Sequence, residues 1–169
     1  LIHGLQLFWQ QQAFPRDFAR VKTVVPWIQY VAYCLSGKLV TEISGMACQS
    51  HLLNIRDGGY SSLVKRMGWE PLFPPMAKAW ETIGTLRGEF LGNGFRGRGN
   101  VLAGVHDSNA NYLRYLAGGQ KKFTLLSTGT WIIGFDTETG LASLIEEKDT
   151  VSNTDVFGNR VGSGRFFGG

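Results

Sequence analysis

Two short runs hold the residues of this chain best suited to chemistry: Gly104-Val105-His106-Asp107-Ser108-Asn109-Ala110 and, further on, Ser127-Thr128-Gly129-Thr130-Trp131. The first reads as an apolar strand that delivers one carboxylate to the mouth of a helix. At the end of a parallel strand, Asp107 would face the crevice where α/β proteins bind ligands and could take the proton of a hydroxyl. The second reads as a strand broken by a turn of small residues, whose N–H groups and hydroxyls can surround phosphate oxygens. A base and a phosphate cradle are two halves of a phosphoryl-transfer site, where positioning and electrostatics do most of the catalysis. Each run also has an ordinary reading. Asp at a helix start is commonly an N-cap, and a glycine between two strands commonly makes a hairpin turn.

The elements that must position these runs follow from periodicity and punctuation. Leu5, Phe8 and Trp9 predict an amphipathic helix ending near Phe14-Pro15, and Asp17 to Val25 is a weaker helical candidate. Pro26 opens another helix, with Trp27, Tyr30, Val31, Cys34 and Leu35 at three- and four-residue steps, and Gly37 closes it as a left-handed cap. A turn or short helix is expected within Ser44 to Ser50, a turn at Arg56-Asp57-Gly58-Gly59, a helix from Ser61 to Met67, and an extended connector at Pro71 to Pro75. Gly84 to Gly99 is glycine-rich and basic, hence loop with room for a short helix. Val101 to Val105 then forms a strand and Ser108 to about Ala117 a helix, together an α/β unit. Beyond Gly118-Gly119 the chain turns β-rich: Phe123 to Leu126 and Trp131 to Phe135 pair across Thr128-Gly129, and a second hairpin lies between Thr150 and Phe167.

With 43% hydrophobic and 12% aromatic residues the chain can bury a core, and 169 residues fill one domain or parts of two. The net charge of +4 is too mild to name a partner. Cys34 and Cys48 fall in no metal or redox spacing and read as buried reduced thiols, which suits a cytoplasmic protein. The longest apolar stretch, Val24 to Leu35, contains Pro26 and Gln29 and is too short to span a bilayer, and no basic-then-apolar leader opens the chain. The chain starts without Met and stops at Phe166-Phe167-Gly168-Gly169, so it reads as a piece of something larger.

The remaining reactive residues have plainer readings. His106 can hydrogen-bond a sugar hydroxyl, whereas His51 reads as a partly buried structural residue; no metal-ligand spacing accompanies either. Arg96 and Arg98 make one copy of an RNA-binding-like tract, more commonly a solvated loop. Trp9, Trp27, Trp69, Trp80 and Trp131 are mainly core candidates, any one of which could wall a sugar face.

At these residues the chain resembles the FGGY family of carbohydrate kinases. Gln6-Leu7-Phe8-Trp9 is similar to a family segment that carries Lys at the place of Gln6, and Leu35-Ser36-Gly37 with Thr41-Glu42 resembles the family's Leu-Thr-Gly and Thr-Asp. Gly104 to Ala110 resembles the segment with the catalytic aspartate, Ser127 to Trp131 the phosphate-contacting turn, and Phe166 to Gly169 a stretch just after it. The resemblance implies an α/β, actin-like (ribonuclease H-like) two-lobe fold. Residues 1–119 would be the rear of the N-terminal, sugar-binding lobe, and 120–169 the first strands of the C-terminal, nucleotide-binding lobe. It implies Asp107 as general base, His106 and Ser108 against the sugar, and Thr128, Gly129 and Thr130 against the phosphates of ATP with Mg2+; it assigns no metal ligand. The partner it implies is a small-molecule sugar, with no nucleic acid and no membrane. His before the aspartate and Trp after Gly-Thr resemble the branch acting on deoxy-ketoses such as L-rhamnulose and L-fuculose. The family's opening Asp-x-Gly-Thr loop and its later glycine-rich adenosine segment occur nowhere in the chain, so the isolated chain is expected to be inactive. The alternative is a non-catalytic sugar-binding or regulatory protein derived from a decayed kinase lobe; RNA association through Arg96 and Arg98 is a third.

Overall fold

The computed structural model describes residues 2–48, 50–92, 97, 99–129 and 131–166. Helix α1 (His3–Ala13) forms where expected, but Leu5, Phe8 and Trp9 stay exposed and Leu7 makes the core contact. Gly4 is what lets this helix lie close: its N–H donates to Ser50 O at 2.7 Å, and a Cβ there would sit 2.8 Å from the same oxygen. The expected helix over Asp17 to Val25 is only a turn, α2 (Pro15–Phe18). Thr23, Val24 and Val25 are β-branched and lead into Pro26, which together disfavour helix. Val24 N–H instead donates to Leu72 O at 2.8 Å.

Helix α3 (Trp27–Ser36) ends at Gly37 with φ 75°, the left-handed cap read from the sequence. Its burial departs from the apolar pattern: Gln29 and Ala32 are buried, while Trp27, Tyr30 and Val31 are exposed. Strand β1 (Thr41–Glu42) runs into the short helix α4 (Ile43–Ala47), and α5 (Ser62–Met67) has Ser61 as N-cap and Gly68 in the left-handed region after it. The connector at Pro71 to Pro75 contains a 3-10 turn at Glu70–Leu72 before it extends. Strand β2 (Met76–Ala77) pairs parallel with β1. The glycine-rich loop is entered by a strand, β3 (Thr82–Thr85), and includes a 3-10 turn, Gly88–Phe90; Arg96 and Arg98 lie outside the described residues.

Strand β4 covers Asn100–Leu102 only, because Gly104 at φ 85° ends the extended run, and it pairs antiparallel with β3 rather than in a parallel unit. Helix α6 (Asp107–Ala117) follows. Next come β5 (Thr124–Thr128), β6 (Ile132–Asp136), β7 (Thr150–Thr154) and β8 (Arg160–Phe166), both expected hairpins, in one antiparallel sheet ordered β5-β6-β8-β7.

Among the described residues, two apolar clusters hold the chain. The first joins Met46, Ala47, Leu52, Leu53, Val64, Trp69 and Phe73; the second joins Tyr112, Leu125, Ile133, Phe135 and Val161. Tyr112 places the inner face of α6 on the second cluster, so this helix joins the β-rich half through its packing and the first half through its N-terminus. Trp69 is the buried indole, whereas Trp9, Trp27, Trp80 and Trp131 are exposed. His51 is exposed at φ 57°, not partly buried, and Cys34 is half-buried; both cysteines are free.

Candidate functional site

The segment before α6 is held from outside. Gln29 Nε2 donates to Ala103 O at 3.1 Å, Ala103 N–H to Glu81 O at 3.0 Å, Gly104 N–H to Ala79 O at 3.2 Å and His106 N–H to Ser44 Oγ at 3.1 Å. The chain then enters the helix with His106 at the N-cap and Asp107 at the first helical position. Asp107 is therefore not the cap. Its Oδ1 accepts from Ser108 N–H at 2.6 Å and Ser108 Oγ at 3.4 Å, while the side chain is 91% exposed. A carboxylate in the first turn also suits the positive end of the helix dipole.

His106 Nδ1 lies 3.2 Å from Asp107 Oδ1 without hydrogen-bond alignment, so their contact is electrostatic. Burial pushes His106 below its ordinary value; the Asp107 charge opposes this and His3 adds to it. Cys48 is pushed up to about 12 by burial and, secondarily, by Asp107. Burial thus disfavours the charged forms of both groups beside Asp107.

Asp107 lines a cleft of about 500 Å³ together with Ser127, Thr128 and Gly129 at the end of β5 and Trp131 after them. Asn111 Nδ2 donates to Ser127 Oγ at 3.4 Å, tying α6 to the turn. His106 and Ser108 also line this cleft; Thr130 lies outside the described residues. A second cavity of about 520 Å³ meets the first at His3, Cys48, His106 and Asp107 and is walled largely by Val24, Val25, Pro26, Met46 and Phe73. The sequence reading missed His3, Cys48 and Asn111. Asn111 was findable, since it stands one helical turn (i+4) after Asp107 and shares its face. His3 and Cys48 carried no local signal.

The arrangement can take a proton from a hydroxyl at Asp107, and the Ser127 and Thr128 hydroxyls can donate to anionic oxygens at the β5 turn, whose Gly129 N–H is already given to Trp131 O at 3.0 Å. That fits the phosphate end of a nucleotide. Among the described residues no group of three or more His, Cys, Asp and Glu gathers to hold a metal, so a bound Mg2+ would draw most of its oxygens from phosphates and water. Among those residues, too, no helix is long and apolar enough to cross a membrane.

Residues 2–113 match the family model described as "FGGY family of carbohydrate kinases, N-terminal domain", and residues 120–169 match "Carbohydrate kinase FGGY, C-terminal domain". Among solved structures, the chain is similar to a carbohydrate kinase from Novosphingobium aromaticivorans, with 38% identity and a TM-score of 0.87, over 100% of this chain and 38% of that one. It is also similar to a xylulose kinase from Rhodospirillum rubrum (17% identity, TM-score 0.72, 98% of this chain and 34% of that one). A ligand-bound xylulose kinase from Lactobacillus acidophilus matches comparably (16%, 0.75, 97% and 34%). These last two bear on the fold alone. The chain thus has a mixed α/β fold that is part of the actin-like fold of sugar kinases, spanning less than two-fifths of the length of these relatives. No curated protein matches it.

Proposed function

The chain belongs to the FGGY family of carbohydrate kinases, and from this we propose that it supplies the acceptor side and the first phosphate contacts of a sugar kinase cleft. One observation carries the reading: the exposed Asp107 carboxylate and the Ser127–Gly129 turn line a single cleft. Asp107 is the general base that accepts the proton of a sugar hydroxyl. His106 and Ser108, which flank it in the cleft, contact the sugar. Thr128, Gly129 and Thr130 contact phosphate oxygens. When bound, Mg-ATP supplies the phosphoryl group.

The acceptor is a ketose, and the His106-Asp107 and Thr130-Trp131 pairs favour the deoxy-ketose branch. Residues 1–119 belong to the sugar-binding lobe and 120–169 to the nucleotide-binding lobe. Free Cys34 and Cys48 suit a cytoplasmic setting. The 169-residue chain alone is inactive, because no Asp-x-Gly-Thr loop or adenosine segment is present to complete the nucleotide seat.

The test is Asp107→Asn in the whole kinase. The side chain is exposed and its contacts are local, so folding and sugar affinity should hold while turnover falls by roughly 10³-fold or more. Undiminished turnover would return Asp107 to a dipole-complementing role. Sugar phosphate formed by the 169-residue chain with ATP would overturn the claim of inactivity.

A further inference from the structure

Glu42 has no exposed surface, and a carboxylate removed from water must be held by something specific. It ends β1 and caps α4, its Oε2 accepting from Gly45 N–H at 3.0 Å and from Ser44 Oγ at 2.6 Å. Capping a five-residue helix explains the first bond. It leaves the second unexplained. A serine hydroxyl has one proton, and here Glu42 takes it, so the Ser44 lone pairs face away and accept the N–H of His106, 62 residues along the chain. Of the anchors on the segment before α6, this one is nearest the Asp107 carboxylate. The other three act on Ala103 and Gly104.

We propose that Glu42 is a positioning residue: through Ser44 Oγ it fixes the backbone of His106, and with it the angle at which Asp107 enters the cleft. The proposal rests on the kinase reading for its catalytic consequence and on geometry alone for its structural one. Ser44 Oγ keeps a lone pair for the His106 N–H whether Glu42 is ionised or protonated, so the link to His106 does not depend on that state.

Two measurements on the whole kinase separate these. Amide hydrogen exchange reads the relay without any substrate: in Glu42→Ala and Ser44→Ala, His106 should exchange at least about 10-fold faster at unchanged exchange in α5. Wild-type exchange at His106 in both variants overturns the proposal. Steady-state kinetics read the consequence: kcat should fall about 10- to 100-fold with KM little altered, since small misplacements of a reacting group cost about that much. In an Asp107→Asn background the same substitutions should cost nothing more, whereas losses that multiply would show that Glu42 does not act through Asp107. Glu42→Gln should recover most of the loss. Its carbonyl can accept both bonds. Ser44→Ala removes a single oxygen and keeps the test open should Glu42→Ala not fold. A wild-type protein that phosphorylates no sugar sinks the kinase reading, while the exchange result still decides the relay.

Discussion

Gly104→Ala should be among the most damaging small substitutions in the chain, and its cost has two separable sources. The first is conformational: Gly104 sits at φ 85°, where an L-residue costs about 1–2 kcal/mol. The second is steric: the new Cβ would lie 2.8 Å from Ile28 Cγ2 on α3, and overpacking of this kind costs about 1–3 kcal/mol. Together they predict a loss of about 2–5 kcal/mol, a large fraction of an ordinary domain's stability. Ile28→Ala removes the offending methyl and leaves the backbone strain in place. In that background Gly104→Ala should cost only about 1–2 kcal/mol, a coupling of about 1–3 kcal/mol read from urea midpoints at constant m. An additive cycle refutes the steric half. A Gly104→Ala effect within about 0.5 kcal/mol of zero refutes both.

Thiol labelling should divide the cysteines: at mildly alkaline pH Cys34, half-buried, reacts readily with an aromatic disulfide reagent, while Cys48, pushed up to about 12, reacts only as fast as the chain opens. Equal rates would contradict the burial of Cys48. His106 predicts a pH dependence of stability. Burial lowers its folded value below 6.5, so the unfolded chain binds the proton more tightly; the contribution is intact above about 6.5 and is lost as pH falls through 6.5 toward the folded value. His106→Asn should flatten this part of the urea-midpoint profile, and an unchanged profile would assign the slope to other groups.

Much of the frame was legible because its signals are local. Gly37 and Ser61 mark helix ends by backbone and capping chemistry that needs no tertiary context. The β5–β6 hairpin follows from apolar runs either side of Thr128-Gly129, and Asp107 stands at the helix start as read. What failed depended on neighbours. Strand direction is invisible in a single apolar run, so the β4 partner and its antiparallel sense could not be read from Val101 to Val105. The apolar stripe of α3 named Trp27 and Tyr30 as core, yet Gln29 takes the buried position because Ala103 O receives its amide. Nothing local marks Glu42 as buried; Ser44 and, through it, His106 are brought to it by the fold. Residues that share the cleft from distant elements, His3 and Cys48, become visible only once α1 and α4 pack beside the start of α6.

The uneven burial of the indoles gives the molecule a usable optical behaviour. Four of the five tryptophans are at least 40% exposed, so emission from the native chain should already be red-weighted, and unfolding should move it little. Trp69, 1% exposed with Nε1 donating to Gln11 Oε1 at 2.9 Å, supplies the blue component, which Trp69→Phe would remove. Trp131, at the rim of the cleft beside Gly129, is then placed to report occupancy by quenching, while Trp9 and Trp80, which line neither cavity, form a constant background.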